Sequence, residues 1–64
     1  THLKEIRQSR GLTQEALAEQ VGVTRQTIIA IEKLKYVPSV KLALDLADAL
    51  AVPLDELFGL EKPG

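Results

Sequence analysis

Apolar residues recur at intervals of three and four positions along most of the chain, which is typical of amphipathic helices and not of strands. The segments LKEIRQSR, QEALAEQV, RQTIIAIEK and VKLALDLADAL show this spacing, and a short fifth segment opens near Pro53. Gly11 follows the first segment, while Thr13, Thr24 and Ser39 stand at N-cap positions before the next three. The pattern predicts an all-α domain of five helices, with GLEKPG as a tail.

The fourth predicted helix is more apolar than the others. Its polar residues Lys41, Asp45 and Asp48 fall at i, i+4 and i+7, which places them on one stripe that faces solvent. We therefore expect most of the remaining surface of this helix to be buried.

Composition narrows the classes of function. Sixty-four residues make one domain, near the lower size limit for a core that folds without disulfides or metals. The chain has no Cys, and its single His2 has no second ligand nearby, so we expect no disulfide, no metal site and no cofactor. An enzyme is not expected either, since a Gly-rich phosphate loop is also absent. No apolar run is long enough to span a bilayer and no leader precedes the domain, which makes a soluble cytoplasmic protein the expectation.

A glycine interrupts two helical segments in the stretch QEALAEQVGVTRQTIIAIEK, residues 14–33. Gly22 reaches left-handed backbone angles without steric cost and ends the first helix abruptly, while Ala18 is small enough to let two helices cross closely. Five further positions of the unit are branched aliphatics: Leu17, Val21, Val23, Ile28 and Ile31. Two helices joined by so short a turn cross at about 90–120°. The stretch therefore predicts a helix-turn-helix motif and not an arbitrary corner of a helical bundle.

The segments LTQEALAEQVGVTRQTIIAIEK and KYVPSVKLALDLADALAVPLDELF resemble the lambda-repressor-like helix-turn-helix family, also called the Cro/C1 or XRE family. The resemblance runs from Leu3 to about Phe58 and is strongest to short stand-alone regulators of the cytolysin-repressor kind. It implies a compact five-helix DNA-binding domain, residues 1–64, with its helix-turn-helix formed by helices 2 and 3. It also implies a homodimer that binds operator DNA, usually as a repressor of transcription. A two-fold dimer predicts that the operator is an inverted repeat.

The resemblance places the second helix of the motif in the major groove of duplex DNA, with its N-terminal residues against base edges. Arg25 suits the O6 and N7 acceptors of guanine, and Gln26 suits the N6 and N7 atoms of adenine. Thr27 and Ile29 also point outward and complete the expected base contacts. Because its neighbours supply the inward face, Ile29 is either a contact to a thymine methyl or a partly buried edge residue.

Four further residues are expected to hold the DNA backbone without reading its sequence. Gln14 opens the first helix of the motif, where backbone N–H groups and the helix dipole favour a phosphate. The resemblance gives its side chain a phosphate contact and, as a second role, a hydrogen bond to the next helix. Thr24 divides its hydroxyl between capping and phosphate, and Lys33 and Lys35 follow the recognition helix as backbone partners.

Two charged residues are assigned to structure and not to DNA. Arg7 and Glu32 match family positions that form an ion pair inside the domain. Removing one partner of such a pair is expected to cost on the order of 3–5 kcal/mol when the pair is buried.

Leu34 departs from the family pattern, in which Gly or Asn commonly ends the recognition helix in a left-handed turn. Leucine in that conformation costs about 1–2 kcal/mol. We therefore expect either that the helix runs on or that the loop LKYVPS follows a different path.

The homodimer is expected to form through the C-terminal region, about residues 50–60. This region has more apolar side chains than one short terminal helix can bury, namely Val52, Leu54, Leu57, Phe58 and Leu60. Closed two-fold dimers are the commonest soluble assembly. Phe58 is expected to be the anchor of the interface, with a place in the monomer core as the alternative.

The net charge of −1 is low for a nucleic-acid binder, which is usually basic. Residues 1–35 contain six Lys or Arg and four Glu, which gives +2, whereas residues 36–64 contain two Lys and five Asp or Glu, which gives −3. The basic residues therefore belong with the expected DNA face.

The alternative function is an antitoxin or a helix-turn-helix module that binds mainly protein. A module without DNA binding is expected to have lost groove-facing residues such as Arg25 and Gln26.

Overall fold

The computed structural model describes residues 1–59, and this part of the chain forms five helices. They are α1 (Leu3–Ser9), α2 (Gln14–Val21), α3 (Arg25–Glu32), α4 (Val40–Leu50) and α5 (Leu54–Phe58). Because residues 1–59 contain no strand, the prediction of an all-α domain of five helices is confirmed. Within the same residues, no helix has both the length and the apolar character needed to cross a membrane.

Three helices begin at the hydroxyl caps that the sequence predicts. In each, the cap oxygen accepts a hydrogen bond from the backbone N–H three residues further on: Thr13 from Ala16 (3.0 Å), Thr24 from Thr27 (3.4 Å) and Ser39 from Leu42 (3.1 Å). Each bond satisfies an N–H group that the start of a helix leaves without a helical partner.

The first four helices end in the same left-handed turn. One residue has a positive φ and donates its N–H to the carbonyl three residues before it, and the next residue donates to the carbonyl five residues before it. The residues with positive φ are Gly11 (70°), Gly22 (75°), Leu34 (59°) and Ala51 (56°). The turn at Gly22 lies where the sequence predicts it and redirects the chain from α2 into α3.

Leu34 adopts the conformation that its side chain disfavours. Its N–H donates to the Ile31 carbonyl (3.1 Å), and the N–H of Lys35 donates to the Ala30 carbonyl (2.9 Å). These two bonds end α3 at the usual place and hold φ at 59° against a strain of about 1–2 kcal/mol. The expectations of a longer helix and of a different loop path are both wrong, because the turn forms in spite of the leucine.

The core is built from aliphatic side chains of every helix. α2 packs against α3 and α4, while α1 contacts α3 and α5. The largest fully buried side chains are Leu3, Leu17, Ile28, Ile31, Leu46, Leu50 and Leu57. Ala18 is also buried, and Val21 and Val23 pack against the core from its edge. The seven constrained positions of the motif therefore either face the core or, at Gly22, form the turn.

Hydrogen bonds connect the N-terminal segment to both C-terminal helices. The backbone N–H of His2 donates to the Leu57 carbonyl in α5 (2.9 Å). The Arg10 side chain donates through Nε to the Leu50 carbonyl at the end of α4 (3.0 Å), where carbonyl groups lack helical partners. These bonds fix α1 against the two helices that lie farthest from it in sequence.

α4 is less buried than the sequence predicts. Val40 is 75% exposed and Leu44 is 52% exposed, although both are apolar. They lie one turn apart, beside the exposed pair in which Lys41 Nζ and Asp45 Oδ2 are 2.8 Å apart. The expectation that most of α4 is buried holds for Leu42, Leu46, Ala47 and Leu50 and fails at Val40 and Leu44, because the apolar arc of this helix is wider than the core it covers.

Replacing Ser39 by alanine is expected to lower the free energy of unfolding by about 1 kcal/mol, since the N–H of Leu42 loses its cap. Urea denaturation followed by circular dichroism measures the change. Ser9→Ala is the matched control, because Ser9 lies inside α1, is exposed, and only donates to the Ile6 carbonyl. We expect that control to change stability by less than about 0.5 kcal/mol. Equal losses in the two variants would show that capping is not what Ser39 contributes.

Candidate nucleic-acid interface

α3 buries one face and presents the opposite face to solvent. Ile28 and Ile31 point into the core and are at most 1% exposed. Arg25 and Gln26 in the first turn, and Lys33 directly after the helix, are exposed. Gln26 and Lys33 are about two turns apart and lie on nearly the same line along the helix. We call the surface formed by Arg25, Gln26 and Lys33 the outward face of α3.

The side chains of the outward face are free to bind a ligand. Within residues 1–59, Arg25, Gln26 and Lys33 have no side-chain hydrogen bond and no ion pair. Ile29 and Ala30 flank this face and are half-buried. Ile29 is thus a partly buried edge residue, one of the two alternatives left open by the sequence, and its exposed part lies about one helical turn from Gln26.

The N-terminal end of α3 is held by two hydroxyl groups. Thr24 Oγ1 caps the backbone N–H of Thr27 and also lies 3.2 Å from Thr27 Oγ1, so the two hydroxyls share a hydrogen bond. Thr24 is exposed, whereas Thr27 is half-buried. The hydroxyl of Thr27, an expected base contact, is therefore already engaged within the chain.

Gln14 connects the start of α2 to the end of α3. Its side-chain Nε2 donates to Glu32 Oε1 at 3.1 Å, and the residue is half-buried. The hydrogen bond to the next helix that the resemblance implies is thus present. This bond fixes the direction of the Gln14 side chain at the N-terminal end of α2, where a phosphate is favoured.

Arg7 and Glu32 form a buried ion pair behind the outward face. Arg7 Nε lies 2.7 Å from Glu32 Oε2, and Arg7 Nη2 donates to Glu32 Oε1 at 3.3 Å. Their side chains are only 8% and 5% exposed. Arg7 Nη1 also donates to the Leu12 carbonyl at 2.8 Å. Because Glu32 accepts from Arg7 in α1 and from Gln14 in α2, one carboxylate ties the end of α3 to both preceding helices.

The C-terminal end of α3 carries two exposed cations, Lys33 and Lys35, on either side of the strained Leu34. Lys35 N–H is bonded to the Ala30 carbonyl, which brings the backbone of the loop back onto the helix. Lys35 also has no side-chain partner within residues 1–59. The outward face therefore begins with Arg25 and ends with a pair of free ammonium groups.

A comparison with known protein families shows which family has this arrangement of helices. A family model described as helix-turn-helix matches residues 3–57. The chain belongs to the Cro/C1-type helix-turn-helix family. The family resemblance seen in the sequence is confirmed, and α2 and α3 are the two helices of the motif.

Curated relatives of this helix-turn-helix chain occur in bacteria and archaea. The uncharacterized HTH-type transcriptional regulator YgzD of Bacillus subtilis is 50% identical over 60 residues, which are 94% of this chain and 91% of the relative. An uncharacterized HTH-type transcriptional regulator of Methanothermobacter thermautotrophicus is 52% identical over 65 residues, covering 100% of this chain and 94% of the relative. A third, from Methanocaldococcus jannaschii, is 54% identical over 56 residues, with 88% and 85% covered.

The helix-turn-helix domain also has an apolar groove between α4 and α5. The groove has a volume of about 220 Å³ and is lined by Val37, Pro38, Ala43, Leu54 and Phe58. Val40 and Leu44 are exposed on α4, about one turn before and directly after the lining residue Ala43, and Val37 is 90% exposed. We call the groove together with Val40 and Leu44 the apolar surface. The sequence signal for this surface is the wide apolar arc of α4, which by itself predicts a face buried in the core.

The residues expected at a dimer interface lie in different environments in the structure. Leu54 and Phe58 line the apolar groove, and both are half-buried. Val52 packs against the core from its edge. Leu57 is completely buried in the core of its own chain, so its expected contact with a partner is wrong. Leu60 lies outside the described residues.

Proposed function

We propose that this chain is a transcriptional regulator that binds double-stranded DNA sequence-specifically, acting as a repressor in the cytoplasm. The observation that supports this most directly is the outward face of α3, where Arg25, Gln26 and Lys33 are exposed and unpaired within the described residues. The opposite face of the helix is fixed in the core by Ile28 and Ile31. The names of the relatives support the regulator class.

Arg25 and Gln26 are the residues that we propose read bases. Both lie in the first turn of α3, the part of a recognition helix that meets base edges in the major groove. The guanidinium of arginine pairs with guanine, and the carboxamide of glutamine pairs with adenine. Ile29 contributes its exposed part as a contact to a thymine methyl. Thr27 has a smaller role, because its hydroxyl is shared with Thr24.

Backbone phosphates are proposed to lie at both ends of the motif. Gln14 and Thr24 stand at the N-terminal ends of α2 and α3, where N–H groups and the helix dipole favour an anion. Lys33 and Lys35 supply positive charge at the other end. Such contacts set the register and affinity of the complex and leave sequence selection to the base contacts.

The apolar surface is proposed to be the interface of a homodimer. It combines a groove with two protruding side chains, Val40 and Leu44, that are exposed beside it. A two-fold axis requires one patch that is complementary to itself, and a patch with both a groove and side chains to fill it meets this requirement. Leu54 and Phe58 then form the floor of the interface.

The dimer determines the form of the operator. Two recognition helices related by a two-fold axis meet half-sites about 34–36 Å apart, one turn of DNA. We therefore propose an inverted repeat as the binding site.

In-vitro selection from random duplexes tests the whole proposal. Recovery of an inverted repeat supports it. Direct repeats or a single half-site would contradict the dimer, and recovery of no preferred sequence would favour a module that binds protein.

Leu44→Glu is expected to convert the dimer into a monomer, since it places a charge in the apolar surface of both partners. Sedimentation velocity at tens of micromolar measures the state, and titration on the selected duplex measures the accompanying loss of affinity. Gln8→Glu is the matched control, because it makes the same change of charge at an exposed position of α1. A wild-type protein that sediments as a monomer with and without DNA would rule the dimer out.

A further inference from the structure

The turn that ends α3 differs from the other three turns of its kind. At the ends of α1, α2 and α4, the left-handed residue is glycine or alanine, and the next residue is an aliphatic that packs against the core: Leu12, Val23 and Val52. At the end of α3 a large aliphatic residue takes the left-handed position and a charged residue follows it. The leucine takes the left-handed position and is 71% exposed, and the next residue, Lys35, is also exposed.

Folding does not account for Leu34. Its backbone is strained at φ 59°, and most of its side chain remains in water, so the residue neither relieves the turn nor fills the core. It also does not line the groove between α4 and α5. Strain that the rest of the structure maintains without a gain in packing occurs mainly at functional sites.

We propose that Leu34 contacts DNA directly, with its side chain packed against the deoxyribose of the DNA backbone while Lys33 and Lys35 pair with the phosphates on either side. This inference rests on the proposed function, since it requires duplex DNA along the outward face of α3. The sugar is the apolar part of a backbone that is otherwise anionic, and sugar and phosphate contacts position a protein on the duplex. A leucine between two free ammonium groups matches that alternation of apolar and charged surface.

Ala51→Gly is a matched control for Leu34→Gly. Both substitutions relieve a left-handed non-glycine residue at the end of a helix, but Ala51 lies after α4. Because the strain relieved is larger than the cost of the greater backbone entropy of glycine, both are expected to raise the melting temperature by about 2–8 °C, which calorimetry measures. On the duplexes recovered by in-vitro selection, Ala51→Gly is expected to bind like the wild type. Leu34→Gly is expected to bind about 3- to 10-fold more weakly per half-site, because an apolar contact is lost.

Two further variants identify the chemistry of the contact. Leu34→Met retains the apolar side chain and is expected to bind within about twofold of the wild type. Leu34→Gly is expected to leave the salt dependence of binding unchanged, whereas Lys35→Ala lowers its slope by about one for one lost phosphate contact.

Three outcomes would overturn the assignment, and they are distinguishable. If Leu34→Gly binds the selected duplexes as tightly as the wild type, Leu34 does not contact DNA and the proposed function stands. If Leu34→Gly changes the sedimentation coefficient while Ala51→Gly does not, the side chain serves a contact between protein chains. If the wild type itself binds no duplex, the proposed function fails, and the role of Leu34 fails with it.

Discussion

Glu32→Ala is expected to lower the free energy of unfolding by about 3–5 kcal/mol, the usual loss when one partner of a buried ion pair is removed. The substitution leaves the Arg7 guanidinium, whose side chain is 8% exposed, without its counter-charge. It also removes the acceptor of the Gln14 amide. Small domains have only about 5–15 kcal/mol of stability in total, so this loss is expected to lower the melting temperature markedly.

Urea denaturation followed by circular dichroism measures this loss against a control pair on the surface. Lys41 Nζ and Asp45 Oδ2 are 2.8 Å apart, close to the 2.7 Å of the buried pair, but the Lys41 side chain is 86% exposed. Lys41→Ala is therefore expected to change stability by less than about 1 kcal/mol. The double variant Arg7→Leu/Glu32→Leu is expected to recover part of the loss, because no buried charge is left unpaired. If Glu32→Ala were no more destabilising than Lys41→Ala, the buried pair would not be what orients α3.

Arg25→Ala is expected to weaken binding to the operator by about 1–3 kcal/mol per half-site, and therefore by about 2–6 kcal/mol for a dimer on two half-sites. It is also expected to remove the preference at one base pair of each half-site. Because Arg25 is exposed and has no partner within residues 1–59, folding stability should be unchanged. Gln26→Ala is expected to do the same at a neighbouring base pair.

Titrations at several salt concentrations, on the selected duplex and its single-base variants, separate base reading from phosphate binding. Lys35→Ala is the matched control, since it is expected to weaken all sequences alike and to lower the salt slope by about one unit per half-site, which is about two units for the dimer. If Arg25→Ala changed the salt slope and left the base preference intact, Arg25 would be a phosphate contact. Base reading would then belong to Gln26, Ile29 and Thr27.

Features that depend on local chemistry were predictable from the sequence. Thr13, Thr24 and Ser39 cap their helices because a hydroxyl before a helical segment reaches the N–H groups just after it, whatever the rest of the fold does. Gly22 ends α2 for a similarly local reason, since it has no side chain to oppose a positive φ. Thr13, Thr24 and Gly22, together with the small and aliphatic positions of residues 14–33, therefore place the helix-turn-helix motif.

Features that depend on what lies opposite a residue were not predictable. Val40 and Leu44 are exposed on a helix that the sequence predicts to be mostly buried, whereas Leu57, which the sequence predicts at an interface, is buried. Apolar character alone does not decide between a core and a partner, because the two environments favour the same side chains. Leu34 differs from its prediction for another reason. The two backbone hydrogen bonds of the turn and the packing of the flanking helices contribute more stability than the strain of about 1–2 kcal/mol costs.

On α3, packing in the core and exposure to a ligand belong to different residues, and this separation affects how such a protein acquires new targets. The residues that hold the helix, Ile28 and Ile31, are not the residues that face outward. Exposed positions without partners tolerate most substitutions within about 0.5 kcal/mol of stability. Under the proposed function, mutations at Arg25 or Gln26 would therefore change the base pairs that are read without passing through an unstable intermediate. A lineage whose α3 reads bases as proposed can then change its operator one base pair at a time, while its fold remains under separate selection.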